Sequence, residues 1–276
     1  MKAMQDWFKD PRAFKGHVSR VLYEKTQSTC LYPADVANSA STSSVLFLVG
    51  AQCEKGRPPG DPCVVLNKRS LKVRQPGDLC FPGGRIDPRQ DGFLAKVVTW
   101  PLSPLGRWCQ WARWRADHRE ERSRLCLLLA TALRESVEEM RLNPFGLTFL
   151  GPMPPQDLSL FGRVLYPMVV WINRQKRFFP NWEVEKIVRI PLRNLLDSRA
   201  YACYRIRFEH CEQGSFVQDF PCFLHENEGE REILWGVTYR IVMAFLESVW
   251  GFMPPAMEQL PVIQGRKSEN YLKGPD

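Results

Sequence analysis

The sequence has no hydrophobic stretch long enough to cross a membrane. Its longest apolar runs, residues 45–49 and 125–133, fall far short of the roughly 20 residues that a membrane-spanning helix needs. Charged residues also interrupt the first ten positions before an apolar signal segment can form. We therefore expect no membrane span and a cytoplasmic location.

Cysteine and histidine patterns typical of metal sites are absent as well. Nine cysteines are scattered singly without a Cys-x-x-Cys pair, and the four histidines lie far apart in the sequence. This distribution predicts reduced, mostly buried thiols and argues against a zinc site or a disulfide framework. The sequence also lacks an internal repeat, which excludes a solenoid.

What the chain contains is the composition of a globular protein. Its 276 residues are 44% hydrophobic and 25% charged, and the formal net charge is +8. This composition excludes wholesale disorder, and the length suffices for one large domain or two small ones. The positive charge is compatible with nucleic acid, an acidic membrane surface or a phosphorylated small molecule, and charge alone does not choose between them.

Hydrophobic periodicity predicts an α+β fold. Apolar residues at helical spacing predict helices over residues 11–26 and 235–250. Short apolar runs bounded by Gly, Pro or polar residues predict strands between them. The predicted strands include residues 45–49, 63–66, 147–150, 164–171, 204–208 and 216–223. Their order favours an α/β/α sandwich with a central mixed sheet.

The most informative segment is a predicted helix over residues 125–142, which is free of Gly and Pro. Glu135, Glu138 and Glu139 follow i, i+3 and i+4 spacing, so their carboxylates gather on one side. Like charges at this spacing repel, and oxygen-rich clusters suit Mg²⁺ or Mn²⁺. The alternative is a solvated acidic face, partly neutralised by Arg134. Four residues are predicted to pack on the other side: Leu129, Leu133, Val137 and Met140.

A glycine turn upstream favours the metal interpretation. Residues 79–88 read Leu-Cys-Phe-Pro-Gly-Gly-Arg-Ile-Asp-Pro, and residues 134–139 read Arg-Glu-Ser-Val-Glu-Glu. Together they resemble the two halves of a Nudix box, G-x5-E-x7-R-E-U-x-E-E-x-G-U, in which U is apolar. Residues 67–84, 183–192 and 233–238 are similar to further segments of the coenzyme A pyrophosphatases within that superfamily.

The two halves of the box are far apart in this chain. Residues 85–133, 49 positions, separate Gly84 from Arg134. The resemblance therefore implies a Nudix-type sandwich with a helical insertion inside the box. The expected organisation is an N-terminal helical extension at 1–40, a Nudix domain at 41–250 with the insertion at about 88–124, and a C-terminal tail at 251–276.

Three further positions depart from the box. Gln90 lies where the first glutamate is expected, so that Asp87 or Asp91 is a candidate substitute. Arg141 replaces the late glycine, and Ser136 replaces an apolar residue. The fold is therefore better supported by the resemblance than the activity is.

The resemblance implies metal-dependent hydrolysis of the pyrophosphate bond of coenzyme A or acyl-coenzyme A. The products are adenosine 3′,5′-bisphosphate and phosphopantetheine or its acyl form, with Mg²⁺ or Mn²⁺ as cofactor. The implied metal ligands are Glu135, Glu138 and Glu139. The implied catalytic residues are Arg134, which orients a glutamate, Glu135, Glu138 and Glu183, with Glu183 or a helix glutamate as general base. The implied substrate-binding residues are Arg69, Arg74, Gly83 and Gly84.

Three regularly spaced tryptophans distinguish the insertion from the rest of the chain. Trp108, Trp111 and Trp114 recur every third residue among arginines. They either stack bases or meet an anionic surface, or, as we favour, cover a core or a dimer interface.

The partners are left partly open by the sequence. We expect a small nucleotide substrate, we regard nucleic acid as the less favoured partner, and a homodimer is compatible with the sequence. Another nucleoside diphosphate derivative or a capped RNA is an alternative substrate. A catalytically weakened, nucleotide-binding regulator is an alternative from a different class, supported by the missing first glutamate and by Arg141.

Overall fold

The structure is a computed structural model that describes residues 8, 10–27, 30–37, 41–51, 61–158, 162–211, 214–227, 229–268 and 271. Its helices are α1 (Pro11–Thr26), α2 (Pro88–Val97), α3 (Trp111–Asp117), α4 (Arg122–Met140), α5 (Leu192–Leu195) and α6 (Gly236–Trp250). Its strands are β1 (Thr42–Ala51), β2 (Pro62–Arg69), β3 (Leu79–Cys80), β4 (Gly83–Arg85), β5 (Leu147–Pro152), β6 (Gln156–Leu158), β7 (Arg163–Ile172), β8 (Val184–Pro191), β9 (Tyr201–Cys211), β10 (Gly214–Asn227), β11 (Glu230–Trp235) and β12 (Val262–Lys267). Across these residues, no helix is both long and apolar enough to span a bilayer.

A large mixed sheet forms the centre of the molecule. Its strand order is β3-β2-β1-β7-β5, and β4, β6 and β8 pair with β1, β7 and β2 respectively. The β1 and β7 strands run parallel, whereas the other pairs in this sheet are antiparallel. The predicted α+β class with a central mixed sheet is confirmed.

Successive residues of β1 supply two cores on opposite faces of this sheet. Phe47 faces α6, where its ring centroid lies 4.5 Å from that of Phe245. Leu46 and Leu48 point the other way and pack in the core that contains α4. Because side chains alternate along a strand, one apolar run can bury both faces of the sheet. The result is the predicted α/β/α sandwich.

Helix α1 begins where the sequence predicts, since the Asp10 side chain accepts a hydrogen bond from Arg12 N at 2.8 Å and Pro11 occupies the first turn. Phe14 and Val18 are fully buried against the α6 face of the sheet. The Phe14 ring lies 5.4 Å from that of Trp171 on β7. This N-terminal helix is therefore part of the main core.

A second, smaller sheet has the order β11-β10-β9-β12. Strand β12 comes from the segment that was expected to be a C-terminal tail, and it pairs in parallel with β9. The side chain of Asp78 ties this segment to the loop before β3. It accepts hydrogen bonds from Lys267 Nζ at 2.9 Å, from Trp235 Nε1 at 3.2 Å and from the hydroxyl of Tyr271.

The tryptophans of the insertion are part of the core on the α4 side of the sheet. Trp108, Trp111 and Trp114 are buried there. Trp108 packs edge-on against Phe149 with ring centroids 5.0 Å apart, and its Nε1 donates to Ser19 Oγ at 2.8 Å. The prediction that these rings fill a core is confirmed. The hypothesis that they stack bases is wrong, because their faces are covered by the protein.

Candidate active site

Helix α4 packs over β1 and β4 on one face of the large sheet, and Glu135 and Glu139 face the glycine turn. Its packing face differs from the prediction at one position, because Val137 is exposed. Eight residues after Leu129, Val137 has rotated about 80° away from the core side. Ser136 is buried instead, where its hydroxyl donates to Ala132 O at 2.6 Å. Back-bonding to the helix lets a polar residue occupy the apolar position of the box.

Glu139 lies where α4 meets β2 and the glycine turn, and this region is called the acidic cleft, or the cleft, below. Its carboxylate accepts hydrogen bonds from Asn67 Nδ2 at 2.6 Å and from Gly83 N at 3.4 Å. Burial nevertheless raises the pKa of Glu139 to about 8, and the negative charges of Glu135 and Glu183 act in the same direction. The two hydrogen bonds therefore do not offset the cost of burying this carboxylate in its ionised form.

The glycine turn packs tightly against the helix and against β1. A Cβ atom at Gly83 would overlap the carbonyl oxygen of Ser44, and a Cβ atom at Gly84 would overlap the carboxylate of Glu135. Burial raises the pKa of Glu135, and the neighbouring Arg134 opposes that shift. Only glycine lets the backbone come this close to the carboxylates, so the turn and the helix form one site.

Arg134 is held by Asp91 of the insertion. Its Nε lies 2.8 Å from Asp91 Oδ1. Asp91 is fully buried, and its carboxylate also accepts from Thr131 Oγ1 at 2.8 Å and from Asp87 N at 2.7 Å. Asp87 itself caps the start of α2 by accepting from Arg89 N. Of the two candidate substitutes for the missing glutamate, Asp91 is thus the one that pairs with the arginine.

The same guanidinium also reaches the helix carboxylates. It lies 3.2 Å from Glu135 and 3.3 Å from Glu138, and it donates to Arg85 O at 3.0 Å. Burial opposes the positive charge of Arg134, but the hydrogen bond to Asp91 and the surrounding carboxylates raise its pKa above the usual value. Arg134 therefore connects the insertion, the turn after Gly84 and the acidic face of α4.

The oxygen atoms of this cleft fit a hard divalent cation. Asn67 Oδ1 is buried and has no hydrogen-bond partner among the described residues. The Nδ2 atom of the same side chain donates to Glu139. Glu138 is half exposed and turned to Arg134. Within the described ranges, no three His, Cys, Asp or Glu side chains form a preassembled metal-binding group. The set of Glu135, Glu138 and Glu139 stays a prediction.

Asn67 belongs to the cleft but is not among the site residues predicted from the sequence. A recognisable signal was present, because it follows the apolar run of residues 63–66 on a strand that the sequence predicts to be buried. A fully buried amide at the end of such a strand needs polar partners. The structure supplies Glu139 as that partner.

Arg69 at the end of β2 pairs with Val184, so it lies beside the segment that carries Glu183. Ser70 N donates to Glu183 O at 2.8 Å, and Arg69 Nε donates to Arg74 O at 2.7 Å. Burial raises the pKa of Cys80 to about 12, an effect that Arg69 opposes and Glu139 increases, so both charges act on this thiol. Arg74 is exposed on the loop that follows Arg69.

No family model matches the chain. A curated protein from Pectobacterium atrosepticum, the uncharacterized Nudix hydrolase NudL, is 27% identical over 183 residues, which are 66% of this chain and 72% of NudL. The chain is thus similar to a Nudix hydrolase over two thirds of its length. This similarity agrees with the prediction of a Nudix-type enzyme.

Solved Nudix structures are also similar to this chain, at low sequence identity. A Nudix hydrolase from Nitrosomonas europaea is 13% identical, with a TM-score of 0.38, over 83% of this chain and 80% of that one. The Nudix hydrolase RenU from M. smegmatis is 14% identical, with a TM-score of 0.34, over 56% of this chain and 73% of that one.

Proposed function

We propose that the chain hydrolyses the pyrophosphate bond of coenzyme A or acyl-coenzyme A, releasing adenosine 3′,5′-bisphosphate and phosphopantetheine or its acyl form. The observation that carries this proposal is the contact between the half-buried Glu139 and the glycine turn, whose Gly83 N donates to the carboxylate. Pyrophosphate hydrolysis needs charge neutralisation beside an accessible backbone. The choice of coenzyme A rests on the resemblance of residues 67–84, whose two ends lie at the helix carboxylates: Asn67 donates to Glu139, and Gly84 packs against Glu135.

Glu135, Glu138 and Glu139 would hold Mg²⁺ or Mn²⁺. When bound, the ion screens phosphate oxygens and promotes ionisation of the attacking water. Arg134 fixes the orientation of the helix carboxylates, because Asp91 holds its guanidinium in place.

Glu183 is the proposed general base. Its negative charge acts on Glu139, and its backbone is held by Ser70 and by the side chain of Asn181, whose Oδ1 accepts from Glu183 N at 2.9 Å. A carboxylate on a fixed backbone can take a proton from water without reorganisation of the loop. Arg69 and Arg74 are the proposed contacts for the remaining phosphates of the substrate, because a guanidinium binds phosphate oxygens through charge-assisted hydrogen bonds.

Another nucleoside diphosphate derivative remains a compatible substrate, because the cleft would treat its pyrophosphate in the same way. Two hypotheses from the sequence lose the observations that favoured them. Hydrolysis of a capped RNA relied on the stripe of Trp108, Trp111 and Trp114, which is buried. A regulator that binds nucleotide without turnover relied on the missing first glutamate and on Arg141. Arg134 has a carboxylate partner in Asp91, and Arg141 adopts the left-handed conformation that glycine usually takes at the end of a helix.

The test is hydrolysis of coenzyme A by the purified chain with Mg²⁺ or Mn²⁺, with both products followed by chromatography. We expect turnover by the wild type, and loss of turnover in Glu139→Gln. Glu247→Gln is the matched control, because Glu247 is exposed on α6, on the other face of the sheet. Absence of coenzyme A turnover in the wild type, or full turnover by Glu139→Gln, contradicts the proposal.

A further inference from the structure

Three large apolar side chains are exposed on the two segments that the hydrogen bond from Ser70 Oγ to Trp182 O connects. Leu71 is 76% exposed, Phe179 is 59% exposed and Trp182 is 62% exposed. Solvent exposure of two aromatic rings is unfavourable unless a partner covers them. The surface formed by Phe179 and Trp182 is called the aromatic surface below.

The backbone beneath the aromatic surface is fixed to the catalytic helix. Phe179 N donates to Met140 O at 3.1 Å, and Asn181 N donates to Glu139 O at 2.8 Å. On the other side of the segment, Ser70 Oγ donates to Trp182 O at 2.8 Å. Trp182 therefore lies between a residue bonded to Glu139 and the proposed base Glu183, so that a ligand at the cleft passes beside it.

The surroundings of the aromatic surface favour a charged, planar ligand. Lys72 and Arg74 are exposed on the neighbouring segment that Ser70 joins to Trp182. A base stacks on an aromatic ring while cations take its phosphates, which is the usual chemistry of nucleotide recognition.

We propose that Phe179 and Trp182 form the binding surface for the adenine ring of the substrate, with Trp182 as the principal contact. The inference rests on the proposed function and goes further, because it assigns the nucleotide half of coenzyme A to a defined part of the molecule. The phosphopantetheine half then leaves the cleft in a different direction.

The test uses the two halves of the substrate as separate probes in titration calorimetry with Mg²⁺ present. Trp182→Ala should weaken binding of adenosine 3′,5′-bisphosphate about tenfold, and Trp182→Phe should keep most of the affinity. Phosphopantetheine should bind Trp182→Ala as it binds the wild type. Trp100→Ala is the matched control, because Trp100 is 61% exposed on the insertion, and it should change neither titration.

Several results would overturn the assignment. They are unchanged binding of adenosine 3′,5′-bisphosphate to Trp182→Ala, absent binding to the wild type, or a loss specific to phosphopantetheine. A rise in KM of Trp182→Ala that grows with acyl chain length would also overturn it, because the ring would then contact the acyl group. If coenzyme A is not hydrolysed while nucleotide binding depends on Trp182, the proposed function is wrong, but the assignment of the aromatic surface to adenine binding is supported.

Discussion

The tryptophans of the insertion and the glutamates of α4 are two clusters of similar size and spacing, but they differ in their burial. Trp108, Trp111 and Trp114 are buried against β5, α1 and one another. Of the glutamates, Glu138 is half exposed, and Glu139 is half-buried with a raised pKa. Burial stabilises the first cluster, whereas burial of the second opposes folding. A cluster that the fold leaves undercompensated is the better candidate for function.

The two regions meet at α2. This inserted helix buries Asp91 against Arg134 at the base of the acidic cleft, and its opposite side carries the exposed Phe93. The insertion therefore contributes a charge partner to the site as well as packing to the core. Substitutions in each region separate these two contributions.

The largest expected effect is on stability, at the centre of the tryptophan cluster. Trp114→Ala should lower the free energy of unfolding by about 3–5 kcal/mol, because it leaves a large cavity in a packed core. Urea unfolding measures the loss, and Trp100→Ala, on the surface, should stay within about 0.5 kcal/mol. A stable Trp114→Ala protein that had lost its activity would contradict the separation of core and site.

Asp91→Ala should have the next largest effect, a loss of about 3 kcal/mol, because Arg134 then remains buried without its main partner. Metal-dependent turnover should fall as well, since the guanidinium no longer holds the helix carboxylates in place. Asp87→Ala is the control, because it removes only a helix cap worth about 1 kcal/mol. Equal losses in the two variants would show that Asp91 acts only as part of α2.

Glu139→Gln should stabilise the metal-free protein at high pH. The pKa of Glu139 in the folded chain, about 8, lies above its ordinary value of 4.5, so the folded state favours the protonated form. The wild type therefore loses stability as the pH rises between these values, and the variant does not. At about pH 8 and with a chelator present, we expect a gain of about 1 kcal/mol, which shrinks toward about pH 5. Thermal unfolding across this range measures the gain, and a gain independent of pH would contradict the assignment.

Arg74→Ala should have the smallest effect. Its side chain lies on a surface loop, so the free energy of unfolding should change by less than about 0.5 kcal/mol. The KM for coenzyme A should rise about threefold and become less sensitive to salt, because a phosphate contact open to solvent is weak and screened. Arg199→Ala, which removes an exposed guanidinium paired with Asp197, should leave KM unchanged.

Local pattern was sufficient for the elements that carry the site. Spacing of apolar residues predicted α1 and α6 closely, and the run free of Gly and Pro predicted α4. The small sheet was not predicted as a separate layer, because β12 pairs with β9 across about sixty residues of chain. The sequence did not decide between Asp87 and Asp91 for the same reason, because the contact between Asp91 and Arg134 spans 43 residues.

By itself, the sequence determined which residues share a face, because periodicity is a property of the local backbone. It placed three carboxylates on one side of α4 and a glycine pair upstream of them. Only the tertiary structure decided which faces are covered. It buried the tryptophans of the insertion, exposed Trp182 beside Glu139 and supplied Arg134 with Asp91, because burial and charge pairing depend on segments that are distant along the chain.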